Sequence, residues 1–174
     1  MGHLSKRWIE SAGGPLILVP GSALHLWRGY DRPDLDSPDP THDYGRACQV
    51  CGYLRSIPVG DATGPALGDE PNATTIEWHV TGLLIIVRWI AAEDESSILR
   101  AAREFDIRST PIEQIDWNVF DSDAILFDAA VAGADAAKYG SLMIRFSASR
   151  YCVDTFWHNV GGARLGLHVF RPVL

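Results

Sequence analysis

The most closely spaced thiols in the sequence are Cys48 and Cys51, which form a C-x-x-C pattern. Two thiolates at this spacing can chelate Zn²⁺, but a structural zinc site needs four ligands. The sequence has no second C-x-x-C pair, so the fold would have to supply His42, Cys152 or His158 as further ligands. The competing interpretation is that both thiols pack as small apolar side chains. We favour that interpretation and predict no bound metal and no cofactor.

No other group of residues defines a reaction class. Gly60 and Gly64 lack the Lys-Ser/Thr of a phosphate-binding loop, so Gly60 to Pro65 is predicted to be a turn. The sequence contains no G-x-S-x-G nucleophile elbow and no H-E-x-x-H zinc motif. Paired carboxylates such as Asp121 and Asp123 are typical of turns. We therefore predict that the protein is not an enzyme, with a small metal-binding or enzymatic α+β protein as the alternative.

Acidic residues exceed basic ones, and the 174-residue chain has a formal net charge of −7. This charge disfavours nucleic acid and anionic membrane surfaces as partners, because those phosphates are bound by clustered Lys and Arg. An acidic surface speeds the encounter with a basic protein partner, although acidity also serves solubility alone. The first ten residues lack the apolar core of a signal peptide, and the cysteines number only three. We therefore expect a cytoplasmic protein.

Hydrophobic patterning predicts an α+β fold that is rich in strands, with a mixed or antiparallel sheet. The most apolar run, Leu83 to Ala91, does not alternate and predicts a central strand that is covered on both faces. Apolar residues recur at helical spacing from Ile98 to Phe105 and predict at least one packed helix. Short alternating runs after Trp117 predict a C-terminal β-meander or small sandwich.

The length of the chain favours a single domain over residues 1–174. An alternative division has an α+β lobe over residues 1–110 and a β-rich lobe over residues 111–174. The division would lie near Ser109 to Ile115, and Pro111 in this stretch forbids a long continuation of the preceding helix.

An acidic, proline-rich segment runs from Tyr30 to Tyr44. Its three prolines fix backbone angles and remove donors, so we predict a surface loop rather than a helix or a central strand. Its five aspartates suit a cationic partner and the adjacent aromatic rings suit an interface, although burial of those rings in the core is an equal alternative. The predicted partner-binding residues are Trp27, Tyr30, Asp31, Asp34, Asp36, Asp39 and Asp43.

Several short motifs follow one another in order over about residues 8 to 92. The most specific of them are Gly13-Gly14-Pro15-Leu16-Ile17-Leu18, Leu67-Gly68-Asp69-Glu70-Pro71 with Thr74-Thr75, and Gly82-Leu83-Leu84-Ile85 with Val87-Arg88-Trp89. Together these motifs resemble the immunity protein 21 family of bacterial polymorphic toxin systems. The C-terminal strands are similar to that family in general pattern.

The resemblance implies an immunity protein that binds a cognate toxin domain and blocks its active site or the access of its substrate. The family supplies no catalytic residues to transfer, and its shared Gly, Pro and Trp positions indicate turns, strand ends and core. Members that meet different toxins should differ at the binding surface, which points to the acidic loop from Asp31 to Pro40. We expect a basic toxin as the partner, and the sequence leaves the oligomeric state open.

Overall fold

A computed structural model of the protein describes residues 6–31, 39–68 and 73–173. In this part of the chain, ten strands form two five-stranded antiparallel sheets. Their bounds are β1 Leu16–Pro20, β2 Leu54–Val59, β3 Ala62–Leu67, β4 Thr74–Trp78, β5 Leu84–Ala91, β6 Glu113–Asn118, β7 Asp123–Asp128, β8 Ser141–Arg145, β9 Arg150–Val160 and β10 Ala163–Pro172. The strand order is β2-β3-β1-β7-β8 in the first sheet and β4-β5-β10-β9-β6 in the second sheet. The predicted strand-rich α+β class is confirmed.

Short helices cover the outer faces of both sheets. They are α1 Asp43–Cys48, α2 Glu95–Glu104 and α3 Ala136–Tyr139, with 3-10 helices at Gly21–Leu26 and Gly133–Asp135. Ala47 of α1 and Ala136 of α3 pack with Ile17 and Val19 on the outer face of the first sheet. Helix α2 packs against the outer face of the second sheet. No helix among the described residues is both long and apolar enough to cross a membrane.

The main hydrophobic core lies between the two sheets. Leu16 and Leu18 of β1 meet Leu84 and Ile86 of β5 in this layer. An aromatic group closes one part of it through edge and tilted contacts, with ring centroids 5.0 to 6.3 Å apart, formed by Trp117, Phe146, Tyr151 and Phe170. Alternate residues of each strand point into this layer because successive strand side chains point to opposite faces.

Helix α2 confirms the predicted packed helix. It begins after Asp94, whose Oδ1 accepts a hydrogen bond of 2.8 Å from the Ser97 amide and so satisfies one free donor at the helix start. Its buried face presents Ile98 and Ala102 to the second sheet. The helix ends at Glu104, and Phe105 is already outside the helical conformation.

The prediction of a turn over Gly60 to Pro65 is wrong, because Ala62–Leu67 is strand β3 and only Gly60 and Asp61 turn. Pro65 fits this strand because β1 pairs with β3 only at Ala66 and Leu67, so no donor is required of the proline on that side. Gly64 fits because a Cβ there would lie 2.3 Å from the Leu18 carbonyl oxygen.

Each sheet contains strands from both sides of residue 110. In the first sheet, β1 pairs with β3 on one side and with β7 on the other. In the second sheet, β10 pairs with β5 and β9. Strand β6 begins two residues after Pro111 and pairs with β9. The sequence pattern did not predict a strand at this place. Long-range pairing therefore joins segments across the position at which a lobe division was considered.

Two basic side chains are buried in the described strands of the second sheet. Arg88 is 4% exposed, and its Nη1 donates to the Gly68 carbonyl oxygen at 2.6 Å, at the end of a first-sheet strand. His168 is 1% exposed, and its Nδ1 lies 2.9 Å from the hydroxyl oxygen of Thr155 on the neighbouring strand. Burial, with a smaller contribution from the charge of Arg88, lowers the pKa of His168 from 6.5 to about 3.

We expect this histidine to make the fold sensitive to acid. Below pH 6.5 the unfolded chain takes up a proton at residue 168, and the folded chain does not until pH approaches 3. As the pH is lowered through this interval, the free energy of unfolding should therefore decrease, and His168 should contribute up to about 1.4 kcal/mol per pH unit to this decrease. Urea unfolding from pH 7 to pH 4.5 should show a shallower pH slope for His168→Gln than for the wild type. Equal slopes would show that His168 does not titrate in this way.

Candidate partner-binding surface

The segment that leads into the acidic loop is held against the first sheet by a close backbone contact. Gly29 has a φ of +67°, and a Cβ at this position would lie 2.5 Å from the Ala130 carbonyl oxygen. Tyr30 follows and its amide donates to the same carbonyl oxygen at 2.8 Å. Only glycine fits this conformation and this approach without strain. The position of Tyr30 at the surface is therefore set by the backbone of the loop after β7.

Tyr30 and Tyr44 form an aromatic pair at this surface. Their ring centroids are 5.5 Å apart and their planes cross at 74°. Tyr30 is 39% exposed, and Tyr44 belongs to the helix that covers the first sheet. An exposed ring supported by a second ring presents a large contact area at low conformational cost, as interface aromatic residues do.

Two of the predicted aspartates support the local backbone. Asp43 Oδ2 accepts a hydrogen bond of 2.7 Å from the Arg28 amide, and its Oδ1 forms an ion pair with Arg46. Asp39 Oδ1 accepts from the amide and the hydroxyl of Thr41, at 2.9 and 2.7 Å. These contacts tie the two ends of the acidic segment to the start of α1. The sequence offered one signal for them, since Arg46 follows Asp43 at the three-residue spacing of helix neighbours.

His42 brings the two described ends of the acidic segment together. Its Nδ1 lies 3.1 Å from Asp31 Oδ1, and its Nε2 lies 3.7 Å from Asp39 Oδ2. Asp31 and Asp39 are therefore close neighbours in the fold. We define the acidic surface as Tyr30, Asp31, Asp39 and Asp43. The predicted residues Asp34 and Asp36 lie outside the described residues.

Trp27 lies in the core rather than at the surface. It is 1% exposed, and its Nε1 donates to the Ala129 carbonyl oxygen at 3.0 Å. Its ring packs with Ile17 and Phe127 on the outer face of the first sheet. Of the two flanking aromatic residues, only Tyr30 is therefore available to a partner.

The cysteines do not assemble into a ligand set. Cys51 is exposed and its thiol donates to the Gln49 carbonyl oxygen at 3.4 Å, and Cys48 is half-buried at the end of α1. Cys152 and His158 lie on β9 in the other sheet. Burial and the neighbouring Asp154 carboxylate raise the pKa of the Cys152 thiol to about 11, which disfavours the thiolate that metals bind. The described residues contain no group of three or more His, Cys, Asp or Glu side chains arranged to hold a metal ion.

The family model for Immunity protein 21 matches residues 7–162 of this chain. The chain belongs to the Immunity protein 21 family. The match extends well beyond the N-terminal motifs and includes strands from both sheets, so the sequence resemblance is confirmed over most of the fold. Searches of curated proteins and of solved structures found no match to this chain.

Membership of the Immunity protein 21 family points to a protein whose role is binding. The geometry agrees with this class, because the acidic surface contains an exposed ring and carboxylates that are held in place by backbone donors. Family members are named for immunity rather than for a reaction.

We expect the double variant Cys48→Ser with Cys51→Ser to melt within about 2 °C of the wild type, since Cys51 is exposed, Cys48 is only half-buried and serine is close to cysteine in size. Elemental analysis of the purified wild type should show no stoichiometric zinc. A metal-binding role would instead be supported by one zinc per chain that disappears in the double variant together with a large drop in Tm.

Proposed function

We propose that this protein is an immunity protein that binds a cognate bacterial toxin domain in the cytoplasm and blocks its active site or the access of its substrate. The observation that carries this proposal is the family match over residues 7–162. The protein neutralises by association and has no catalytic activity of its own. Nucleic acid and anionic membranes are not its partners, because the chain carries a net charge of −7.

The acidic surface suits a basic toxin. Asp31 is exposed and lies next to the aspartate-rich stretch of the sequence that continues to Asp39. Opposite charge on the toxin would accelerate encounter, and like charge would exclude other acidic proteins. An acidic surface of this kind can also occupy the place of substrate phosphates in a nuclease toxin, so charge complementarity and active-site blockage are compatible.

Tyr30 is the natural anchor within this surface. It is exposed, it is supported by Tyr44, and its backbone is fixed on the Ala130 carbonyl oxygen. Aromatic anchors surrounded by charged residues commonly carry much of the energy of a protein interface. Because Asp39 and Asp43 are bound to local donors, the surface is organised before the partner arrives, which lowers the entropic cost of binding.

The proposal predicts protection in cells. We expect a toxin domain to be encoded directly upstream of the gene for this chain, and expression of that domain alone should stop growth. Coexpression of this chain should restore colony counts to those of cells without toxin. If the folded chain is present at a comparable level and growth still stops, the chain is not the immunity protein of that toxin.

The aspartate-rich segment of the sequence from Asp31 to Asp39 predicts a salt-dependent association rate. Asp34→Lys with Asp36→Lys should slow association with the same toxin domain about tenfold in low salt, and this difference should shrink at high salt as screening increases. Stopped-flow fluorescence can measure both rates with a catalytically inactive toxin domain.

The control for this test changes the net charge equally at exposed glutamates in another part of the sequence. Glu93 lies just before α2 and Glu104 is its last residue, and both side chains are exposed. Helix α2 covers the outer face of the second sheet. Glu93→Lys with Glu104→Lys should leave the association rate much closer to that of the wild type. Equal slowing by both double variants would show that net charge acts without any contribution specific to the segment from Asp31 to Asp39.

A further inference from the structure

The four edge strands of the two sheets differ in how they are protected. In β2, the Gly68 amide donates to the Tyr53 carbonyl oxygen, and bonded and non-bonded pairs alternate along β2 and β3 from that point. The backbone nitrogen of residue 58 therefore points away from β3. This residue is Pro58, which has no N–H to offer to another strand. In β4, Ile9 exchanges two backbone hydrogen bonds with Thr74, at 2.9 and 2.8 Å. These are common ways to prevent unwanted pairing at a sheet edge.

The edges β4 and β6 also have charged groups close to their backbone. Lys6 Nζ donates to the Ile76 carbonyl oxygen of β4 at 3.0 Å. On β6, the exposed Asp116 forms an ion pair of 2.8 Å with Arg150. A strand from another molecule would have to displace or desolvate these groups, which disfavours pairing at either edge.

The edge of β8 is less protected. Its ion pair, Arg145 with Asp123 at 3.0 Å, lies at the last residue of the strand, and β8 contains no proline. The Phe146 amide donates to the Ser122 carbonyl oxygen at 2.7 Å, in register with the β7–β8 pairing. Since bonded and non-bonded pairs alternate in antiparallel sheets, Leu142 and Ile144 bond to β7, and the backbone groups of Ser141, Met143 and Arg145 point outwards. No described residue bonds to the backbone groups of these three residues, which we call the β8 edge.

An apolar groove of about 520 Å³ lies beside the β8 edge, on the outer face of the first sheet. Met143 belongs to both features, since it is 64% exposed and lines the groove. The residues that give the groove its apolar character are Leu24, Ile125, Ala136, Ala137 and Met143. We call this feature the β8 groove.

We propose that an extended segment of the cognate toxin pairs with the β8 edge as a further strand of the first sheet and inserts an apolar side chain into the β8 groove. This inference rests on the proposed immunity function. Three outward-facing residues with free donors and acceptors specify an extended polypeptide as the occupant, and the adjacent groove provides side-chain selectivity.

The β8 groove and the acidic surface share one covering layer. The Gly133 amide at the groove donates to the Trp27 carbonyl oxygen at 2.8 Å, three residues before Tyr30. Tyr30 itself bonds to Ala130 in the same loop after β7. One toxin domain can therefore contact both features. A toxin domain is also a better occupant than a second copy of this chain, because two chains of net charge −7 repel each other.

The deciding variant is Met143→Pro. The amide of residue 143 points away from β7, so its removal leaves the β7–β8 ladder complete, as Pro58 does at the edge of β2. We expect the Kd for the inactive toxin domain encoded directly upstream of the gene to rise at least about tenfold, through loss of interchain hydrogen bonds and a steric clash. The matched control is Ser56→Pro, at an outward position of β2, which should leave this Kd unchanged.

A second variant tests the groove without changing the strand. Ala137 is exposed in α3 and lines the β8 groove, so Ala137→Trp should fill the groove and weaken toxin binding to a similar degree. Hydrogen exchange supplies an independent measurement. The amides of Met143 and Arg145 should exchange rapidly in the free chain and become protected when the toxin domain is bound.

The outcomes separate the inference from the function. If the wild type binds the toxin domain and a folded Met143→Pro variant binds within twofold of it, the strand-addition inference is overturned and the immunity function stands. If the wild type does not bind, the proposed function fails and the inference fails with it. Protection of the Met143 amide in the free monomer, or only in a concentration-dependent dimer, would show that this chain or a second copy occupies the edge. If Met143→Pro does not fold, Ala137→Trp and hydrogen exchange decide.

Discussion

Strands with apolar side chains on both faces impose the layered arrangement of this protein. In β1, Leu16 and Leu18 point into the core between the sheets, and Ile17 and Val19 point to the opposite face. Strand β5 is apolar on both faces in the same way. Each sheet must therefore be covered twice, once by the other sheet and once by short helices or loops. The surface segments that could meet a partner are the covering layer of the first sheet, so their positions follow from this burial requirement.

Hydrogen bonds from large side chains fix the layers relative to one another. Trp117 of the second sheet donates to the Thr63 carbonyl oxygen of the first at 2.9 Å, and Trp27 of the covering layer donates to Ala129. Arg88 adds a link from the second sheet to Gly68. A buried donor without an acceptor is costly, so each such bond favours one arrangement of the layers over others. This gives the protein a rigid support for an interface.

The charges of the fold are arranged differently at its two outer layers. Glu77 lies in β4, an edge strand of the second sheet. Burial acts to raise the pKa of its carboxyl group, but hydrogen bonds from Arg103, the Trp78 amide and Lys6 outweigh burial, so the pKa is lowered. At the acidic surface, Asp43 and Asp39 accept hydrogen bonds from backbone amides instead. Fixed charge and an open strand edge on one covering layer give a partner both steering and directional pairing.

Local sequence determined much of this protein. The apolar run of β5, the helical spacing of α2 with its Asp94 cap, and the strands β7 to β10 are encoded by periodicity, because burial of one or both faces dictates which positions are apolar. The family motifs identified the class of function, and the cluster of aspartates indicated an acidic surface. These signals lie within short segments, so no knowledge of distant partners was needed to see them.

Only the tertiary structure decided which segments meet. It made Ala62–Leu67 a strand by pairing it with both β1 and β2, and it recruited β6 to the edge of the second sheet. It also buried Trp27 and left Tyr30 exposed, although the two residues lie close together in the sequence. The open edge of β8 is likewise a property of strand order. Strands such as β1 and β7 pair although more than a hundred residues separate them in the sequence. Which strands pair depends on which apolar faces remain to be covered once the local elements have formed, and the residues that decide this are spread over the whole chain.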